Sequence, residues 1–392
     1  MRKHFDYPPV PVSVNRAHPN LNLTAAGVSI VAATYGLGRY CFGLFLPEIR
    51  AEFNLSAELV GLIAGSSYLG YLIATFAGSW GAVLFGPRLP IFAGGVAAAT
   101  GMALIGLADR LEILALGVFV AGASPGLAYP PFSEVIVRTV EPACQNSVYS
   151  WINSGTGFGV ALAGPLALYA GSDWRLAWLL FSGLAIVFAC WNWFAIPTAR
   201  SRSIAEPSGV SLRLVLKMNA PKLFVSAFVF GLVSSIYWTY AVDLLVMLTG
   251  DHNDAILFWI VLGVAGVTGC FAGQVVNRFG LKNAFVALVG LIGAALAILP
   301  VLAGFPAGIF LSAALFGAGF IVQTALFGIW SMAVFKDRPA IGFGCTFFLI
   351  SLGQGAGPVL AGFLEPVFGL ALVFLVSGGL CAGLSLLRPA SR

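Results

Sequence analysis

Charge is what this sequence has least of. Only 9% of its 392 residues are Asp, Glu, Lys or Arg, 59% are hydrophobic, and the mean hydropathy is +0.95. A water-facing domain carries roughly 25% charged residues. Such scarcity excludes a soluble enzyme, a nucleic-acid binder and a disordered chain, and it removes nucleic acid from the expected partners. Histidine is also scarce: His4, His18 and His252 all fall outside the apolar segments, so no intramembrane histidine metal site is expected. Cys41, Cys144, Cys190, Cys270, Cys345 and Cys381 lie on separate segments without CxxC spacing, which argues against metal ligation and a disulfide framework. No Gly-x-x-x-x-Gly-Lys-Ser/Thr run occurs, so energy is expected from a gradient and not from ATP on this chain. The apolar stretches do not alternate with polar residues as β-barrel strands do. No cofactor is expected.

What the sequence does have is long apolar runs. A bilayer core takes about 20 residues per helical span, and a helix satisfies its own backbone polar groups in lipid. The expectation is an all-α membrane protein of twelve spans, at 24–47, 57–80, 89–108, 112–138, 143–170, 174–196, 222–247, 255–276, 282–303, 306–334, 339–364 and 367–387. Residues 1–22 read as a tail, since no signal-peptide apolar core falls within them. The polar stretch 197–221 reads as a linker between two six-helix halves, 23–196 and 222–392.

Lys and Arg concentrate on the cytoplasmic side of membrane proteins. With the amino terminus inside, sixteen of the 20 basic residues fall in inner segments, including Arg88, Arg138, Arg278 and Lys282. Arg50, Arg110 and Arg175 fall in outer loops. Both termini are therefore expected in the cytoplasm of a multi-pass inner (plasma) membrane protein. One basic residue, Arg39, is left inside a span.

The halves repeat each other. Ile152, Gly155, Gly157, Gly159, Leu162, Ala163 and Gly164 recur as Ile350, Gly353, Gly355, Gly357, Leu360, Ala361 and Gly362, at a constant separation of 198 residues. Gly86 and Arg88 recur as Gly280 and Lys282. A fixed offset near half the chain marks a duplication, and small residues one turn apart let helix backbones approach closely in lipid.

These segments resemble the major facilitator superfamily. The loop between its second and third helices reads G-x-x-x-D-R-x-G-R-R; here 273–282 keeps that pattern with Asn277 in the acidic place beside Arg278, while 79–88 has Val83 and Leu84 there. Gly159 to Pro165 looks like the glycine-proline motif of the fifth helix. The resemblance implies two pseudo-symmetric six-helix bundles, the major facilitator fold, and transport by alternating access. It looks closest to a poorly characterised bacterial branch. The arginine that drug antiporters of the family carry on the fourth helix would fall near Val118, and is absent.

A charge in hydrocarbon costs at least about 2.5–3.5 kcal/mol on insertion scales. Arg39, roughly 12 Å below the outer end of its span, therefore needs a water-filled cavity or a partner. It could anchor an anion, because guanidinium forms a fork for carboxylate or phosphate. It could instead pair with Glu48, Asp243 or a backbone carbonyl. Tyr35 and Phe42 share its helix face. The repeat maps Arg39 onto Ser234, Phe42 onto Tyr237 and Glu48 onto Asp243, so Tyr237 and Trp238 are candidates for the opposite wall. Gln323, Phe327 and Trp330 on the tenth span, with Tyr129, Asn153 and Gln354, complete the candidate substrate set. Asp243, Glu48 and Glu134 are proton-carrying candidates. Glu134 and Arg138, with Arg88, Asn277, Arg278 and Lys282, are candidates for a cytoplasmic gate.

The expected function is a monomeric secondary transporter of a small anionic or polar-amphipathic solute, coupled to protons or another ion. Efflux of neutral or cationic compounds, and a sensor that keeps the transporter fold, are the alternatives. A membrane enzyme is disfavoured, because the intramembrane carboxylates are dispersed.

Overall fold

The computed structural model describes residues 19–171, 173–197, 220–335 and 339–389. The expected tail 1–22 and linker 197–221 lie almost wholly outside them. So do ten of the sixteen basic residues used for topology: those from Arg2 to Arg16 and from Arg200 to Lys217, with Lys336, Arg338 and Arg392.

The described residues are helical, with no strand among them. The helices are α1 Pro19–Val31, which continues as a π-helical segment Ala32–Tyr40, then α2 Leu46–Phe53, α3 Ala57–Phe85, α4 Arg88–Gly106, α5 Leu111–Thr139, α6 Pro142–Ala170 and α7 Trp174–Ala195. The second half holds α8 Ala220–Thr249, α9 His252–Val267, α10 Ala272–Leu302, α11 Pro306–Val334, α12 Pro339–Phe368 and α13 Leu370–Gly383. Among the described residues, ten segments are long and apolar enough to cross a membrane. One of them, His252–Leu302, is two crossings joined at Gly280, where φ is 74° and the helix breaks. The remaining crossing is α6, whose Gln145, Asn146 and Asn153 dilute its hydropathy. Together these make the expected twelve.

The first span departs from the expected 24–47. Its helix begins at Pro19, ends at Tyr40, and is followed by a turn and the separate α2. Pro47 sits in the first turn of that new helix, where its missing N–H costs nothing. Asn54, at φ 50°, ends α2 in the left-handed conformation.

The two ends differ in charge balance. Where α1 begins, the bundle carries Arg88, Arg138, Lys222, Arg278, Lys282 and Arg388 against Glu134 and Glu141; this is called the basic end below. The opposite, acidic end carries Glu48, Glu52, Glu58, Asp109, Glu112, Asp173, Asp243, Asp251, Asp254 and Glu365 against Arg50, Arg110 and Arg175. Within the first half α3 and α4 pack on α5, and α4 packs on α7; within the second α8 packs on α12, and α10 packs on α11 and α13. The halves meet along two seams, α3 against α12 and α6 against α9.

The repeated glycines explain those seams. Gly155 and Gly159 lie against the backbone of Val28 and Ala32 in the first span, and their counterparts Gly353 and Gly357 lie against Phe228 and Leu232 in α8. Gly157, on the other face of α6, meets Gly263 and Gly266 of α9 across the seam. Its counterpart Gly355 faces Gly65 of α3. Each copy therefore serves two contacts, one inside its half and one between halves. Gly86 (φ 83°, ψ 164°) and Gly280 (φ 74°, ψ 155°) share one conformation at matching places in the repeat. That region is essentially open to glycine alone.

A side chain at Gly159 would run into the Ala32 main chain, whereas Gly183 on α7 has open space around it. Gly159→Val is expected to destabilise the protein by about 1–3 kcal/mol and lower its melting temperature in detergent. Gly183→Val should leave it nearly unchanged.

Candidate functional site

The π-helical segment places Arg39 in its final turn, and widened turns of this kind often mark functional sites. Arg39 is 5% exposed. Its guanidinium lies over Tyr71 and Tyr68, 4.1 and 4.5 Å from their ring centres, and 5.6 and 5.8 Å from those of Tyr35 and Tyr40. One terminal nitrogen, Nη2, donates to Gln354 Oε1 on α12 at 2.9 Å, while Nε is buried without a partner. Neither Glu48 nor Asp243 pairs with it, because both are engaged elsewhere. A guanidinium stays protonated in a protein. Each ring contributes about 0.5–2 kcal/mol of cation–π attraction, which eases burial but supplies no counter-charge. The site is a desolvated cation in an aromatic cage with a donor to spare.

From that cage a row of phenols leads toward the basic end. Tyr35 and Tyr71 share a hydroxyl contact of 3.1 Å, and the Tyr35 ring meets Tyr129 edge-on. Tyr129 donates to Asn153 Oδ1 at 3.2 Å and packs on Tyr149. Four helices contribute, and Tyr35, Tyr71, Tyr129, Tyr149 and Asn153 are all only half-buried. Tyr40, Tyr68, Tyr71 and Tyr149 were not among the expected site residues. Their signal was present: six of the ten tyrosines stand mid-span in the first half, away from the membrane interface where tyrosine is enriched.

The opposite wall comes from the second half. Trp238 stacks on Tyr40 with ring centres 4.1 Å apart, and meets Trp259, Phe316 and Phe320 edge-on. Arg39, Phe42, Tyr68 and Trp238 line a small cavity of about 10 Å³, roughly the room one water needs. Gln323 is fully buried, and neither end of its amide has a partner. Leaving such groups unsatisfied costs about 1–3 kcal/mol each. Tyr237, by contrast, is turned into the second bundle. It stacks on Phe316 at 3.8 Å and its hydroxyl meets Ser312 at 2.8 Å. Adjacent helical residues point about 100° apart, so only one of Tyr237 and Trp238 can cross to the first half. Phe327 and Trp330 pack with Phe285 inside the second bundle, away from the cage.

At the acidic end the halves are clasped. Arg50 Nη1 donates to Asp243 at 2.7 Å and Nη2 to Glu365 at 2.7 Å. Glu48 meets His252 at 3.1 Å. Gly43 packs so closely on α8 that a Cβ would strike the Trp238 carbonyl. Within the first half Arg175 and Trp174 both donate to Glu52, and Arg175 holds that carboxyl below the usual range. At the basic end Glu134 pairs with Arg138 one turn away on α5. Arg88 lies over the Trp193 ring at 4.3 Å, and Asn277 and Arg278 are exposed beside half-buried Lys282. The structure thus brings Arg50 and Glu365 into a clasp that was not expected. Arg50 read only as a loop charge, and nothing in the spacing of Glu365 tied it to α2.

A family model described as "Uncharacterised MFS-type transporter YbfB" matches residues 31–387. The chain is 25% identical over 311 residues to the transcription regulatory protein OpdE of Pseudomonas aeruginosa, covering 76% of this chain and 77% of that one. It is 26% identical over 160 residues to the hexuronate transporter of Bacillus subtilis (40% and 38%). Over 224 residues it is 26% identical to the multidrug resistance protein MdtH of Salmonella arizonae (54% and 52%). Among solved structures, a point mutant of the nucleoside transporter NupG superposes with a TM-score of 0.76 at 10% identity, over 94% of this chain and 98% of that one. A bacterial homolog of the human lysosomal transporter Spinster, inward-facing and unoccupied, superposes at 0.70 and 14% identity, over 94% and 95%.

Because Tyr237 faces Ser312 and not the cage, Tyr237→Phe is expected to cost about 1 kcal/mol of stability in thermal melting. Trp238→Ala should instead release the stack on Tyr40, seen as increased labelling of nearby Ser67→Cys by a small thiol reagent.

Proposed function

We infer what this chain does from the premise that it belongs to the major facilitator superfamily, in the family described as uncharacterised MFS-type transporter YbfB. It is a multi-pass membrane transporter. In our reading it is a monomeric secondary transporter with no catalytic chemistry, carrying a small organic anion with a flat apolar body. The two bundles rock about the cage, driven by a proton gradient, with the basic end in the cytoplasm of the inner membrane.

One observation carries the substrate class: Arg39 is a buried cation without a counter-ion in its cage and with Nε unpartnered. A carboxylate supplies the missing charge and accepts from guanidinium as a fork. The tyrosine and tryptophan faces around it suit a flat apolar body. A cationic drug would meet a like charge at the cage, which weighs against efflux of cations. The similarity to a hexuronate transporter supports a carboxylate substrate. A second reading, a sensor that keeps this fold, is favoured by the relative named as a transcription regulatory protein.

The test is ligand-induced thermal stabilisation of purified protein with aromatic carboxylates, sugar acids and quaternary ammonium compounds, followed by uptake into proteoliposomes. Carboxylates should stabilise the wild type, and Arg39→Gln should weaken their binding about ten- to hundredfold, the loss of one charge-assisted interaction of about 1.5–3 kcal/mol. A hit set made of cations, or equal binding by Arg39→Gln, would overturn the reading. Binding without uptake would favour the sensor.

A further inference from the structure

The clasp at the acidic end holds one charge too many. Arg50, from α2, bonds Asp243 of α8 and Glu365 of α12 through separate nitrogens. The two carboxylate side chains are only 5% and 9% exposed, and Glu365 Oε2 is buried with no partner at all. The charged and titratable groups around them do not offset the surplus. Glu48 comes from α2, Glu58 from α3 and Tyr240 from α8 itself, while His252 from α9 is engaged by Glu48. One guanidinium neutralises one carboxylate, and two buried carboxylates that share it cannot both stay ionised cheaply. A depression of about 510 Å³ at this end is lined by Pro47, Arg50, Asn54, Asp243, Val246 and Met247, so it opens onto the Arg50–Asp243 side of the clasp.

We propose that Asp243 and Glu365 share one proton whenever Arg50 clasps both, so that closing this mouth of the transporter takes up a proton from the water above it and opening it releases that proton. The inference rests on the transporter reading and supplies its coupling site. In the open mouth both carboxyls are hydrated and no longer crowded on one guanidinium, so neither keeps the shared proton at neutral pH. The closed state then binds one more proton than the open state. Raising the pH therefore favours opening, by up to tenfold in the open-to-closed ratio per pH unit for one proton.

Spin labels at Asn54→Cys and Leu248→Cys, with the native cysteines replaced, report the width of this mouth in full-length protein in nanodiscs without substrate. The open-to-closed ratio should rise between pH 5 and 8, by no more than tenfold per unit. Glu365→Gln and, as a second variant, Asp243→Asn each remove the surplus charge and should flatten that slope. His252→Gln should keep it, although protonation of His252 against Glu48 would act with the same sign. A pH-independent parent, a slope that persists in both carboxylate variants, or a slope that vanishes with His252 would overturn the proposal. No substrate is present, so the outcome is independent of whether Arg39 binds an anion.

Discussion

The structure depends on one constraint: lipid does nothing to push helices together, and it penalises every polar group left between them. Twelve crossings must associate by backbone proximity and by a few satisfied polar contacts. The glycines of α6 and α12 meet the first requirement. They let α1 and α8 lie directly on main chain, and their other faces do the same for the seams between halves. The same glycines serve packing within each half and between the halves.

Against that background, the charges between the bundles are placed where motion matters. Arg39, clad in phenols, reaches Gln354, and Arg50 reaches Asp243 and Glu365. Both arginines belong to the first half, and all their partners here belong to the second. A buried ion pair gives little net stability once desolvation is counted, so these contacts are better understood as latches than as glue. Their strength depends on what neutralises them. On the proposals above, an anion at the cage lessens the need of Arg39 for Gln354, and loss of the shared proton loosens the clasp.

Much of this was legible in the sequence, and the parts that were not have a physical reason. Arg39 stood out because so few charges are available to hide it. The repeat at 198 residues located the glycine seams, and the match of Gly86 with Gly280 located two equivalent helix breaks. Tyr237 misled because a repeat offset locates a residue along a helix but not which way its side chain turns; a step of about 100° exchanges it with Trp238. The π-helical segment was illegible because Ala32–Tyr40 differs from an α-helix in hydrogen-bond register and not in composition. Arg50 and Glu365 were illegible as a pair because they lie 315 residues apart, on elements that no periodicity connects.

The segment from Ala32 to Phe53 ties these features together. The π-helical segment ends beside Arg39, a turn follows, and α2 carries Arg50. Between them Gly43 lies against the Trp238 carbonyl, so the turn has no slack toward α8. Arg39 and Arg50 are therefore held on one short segment that is itself fixed to α8 by Gly43 packing and the Arg50 clasp. On the proposals above, linkage makes any coupling between an anion at the cage and a proton at the clasp reciprocal.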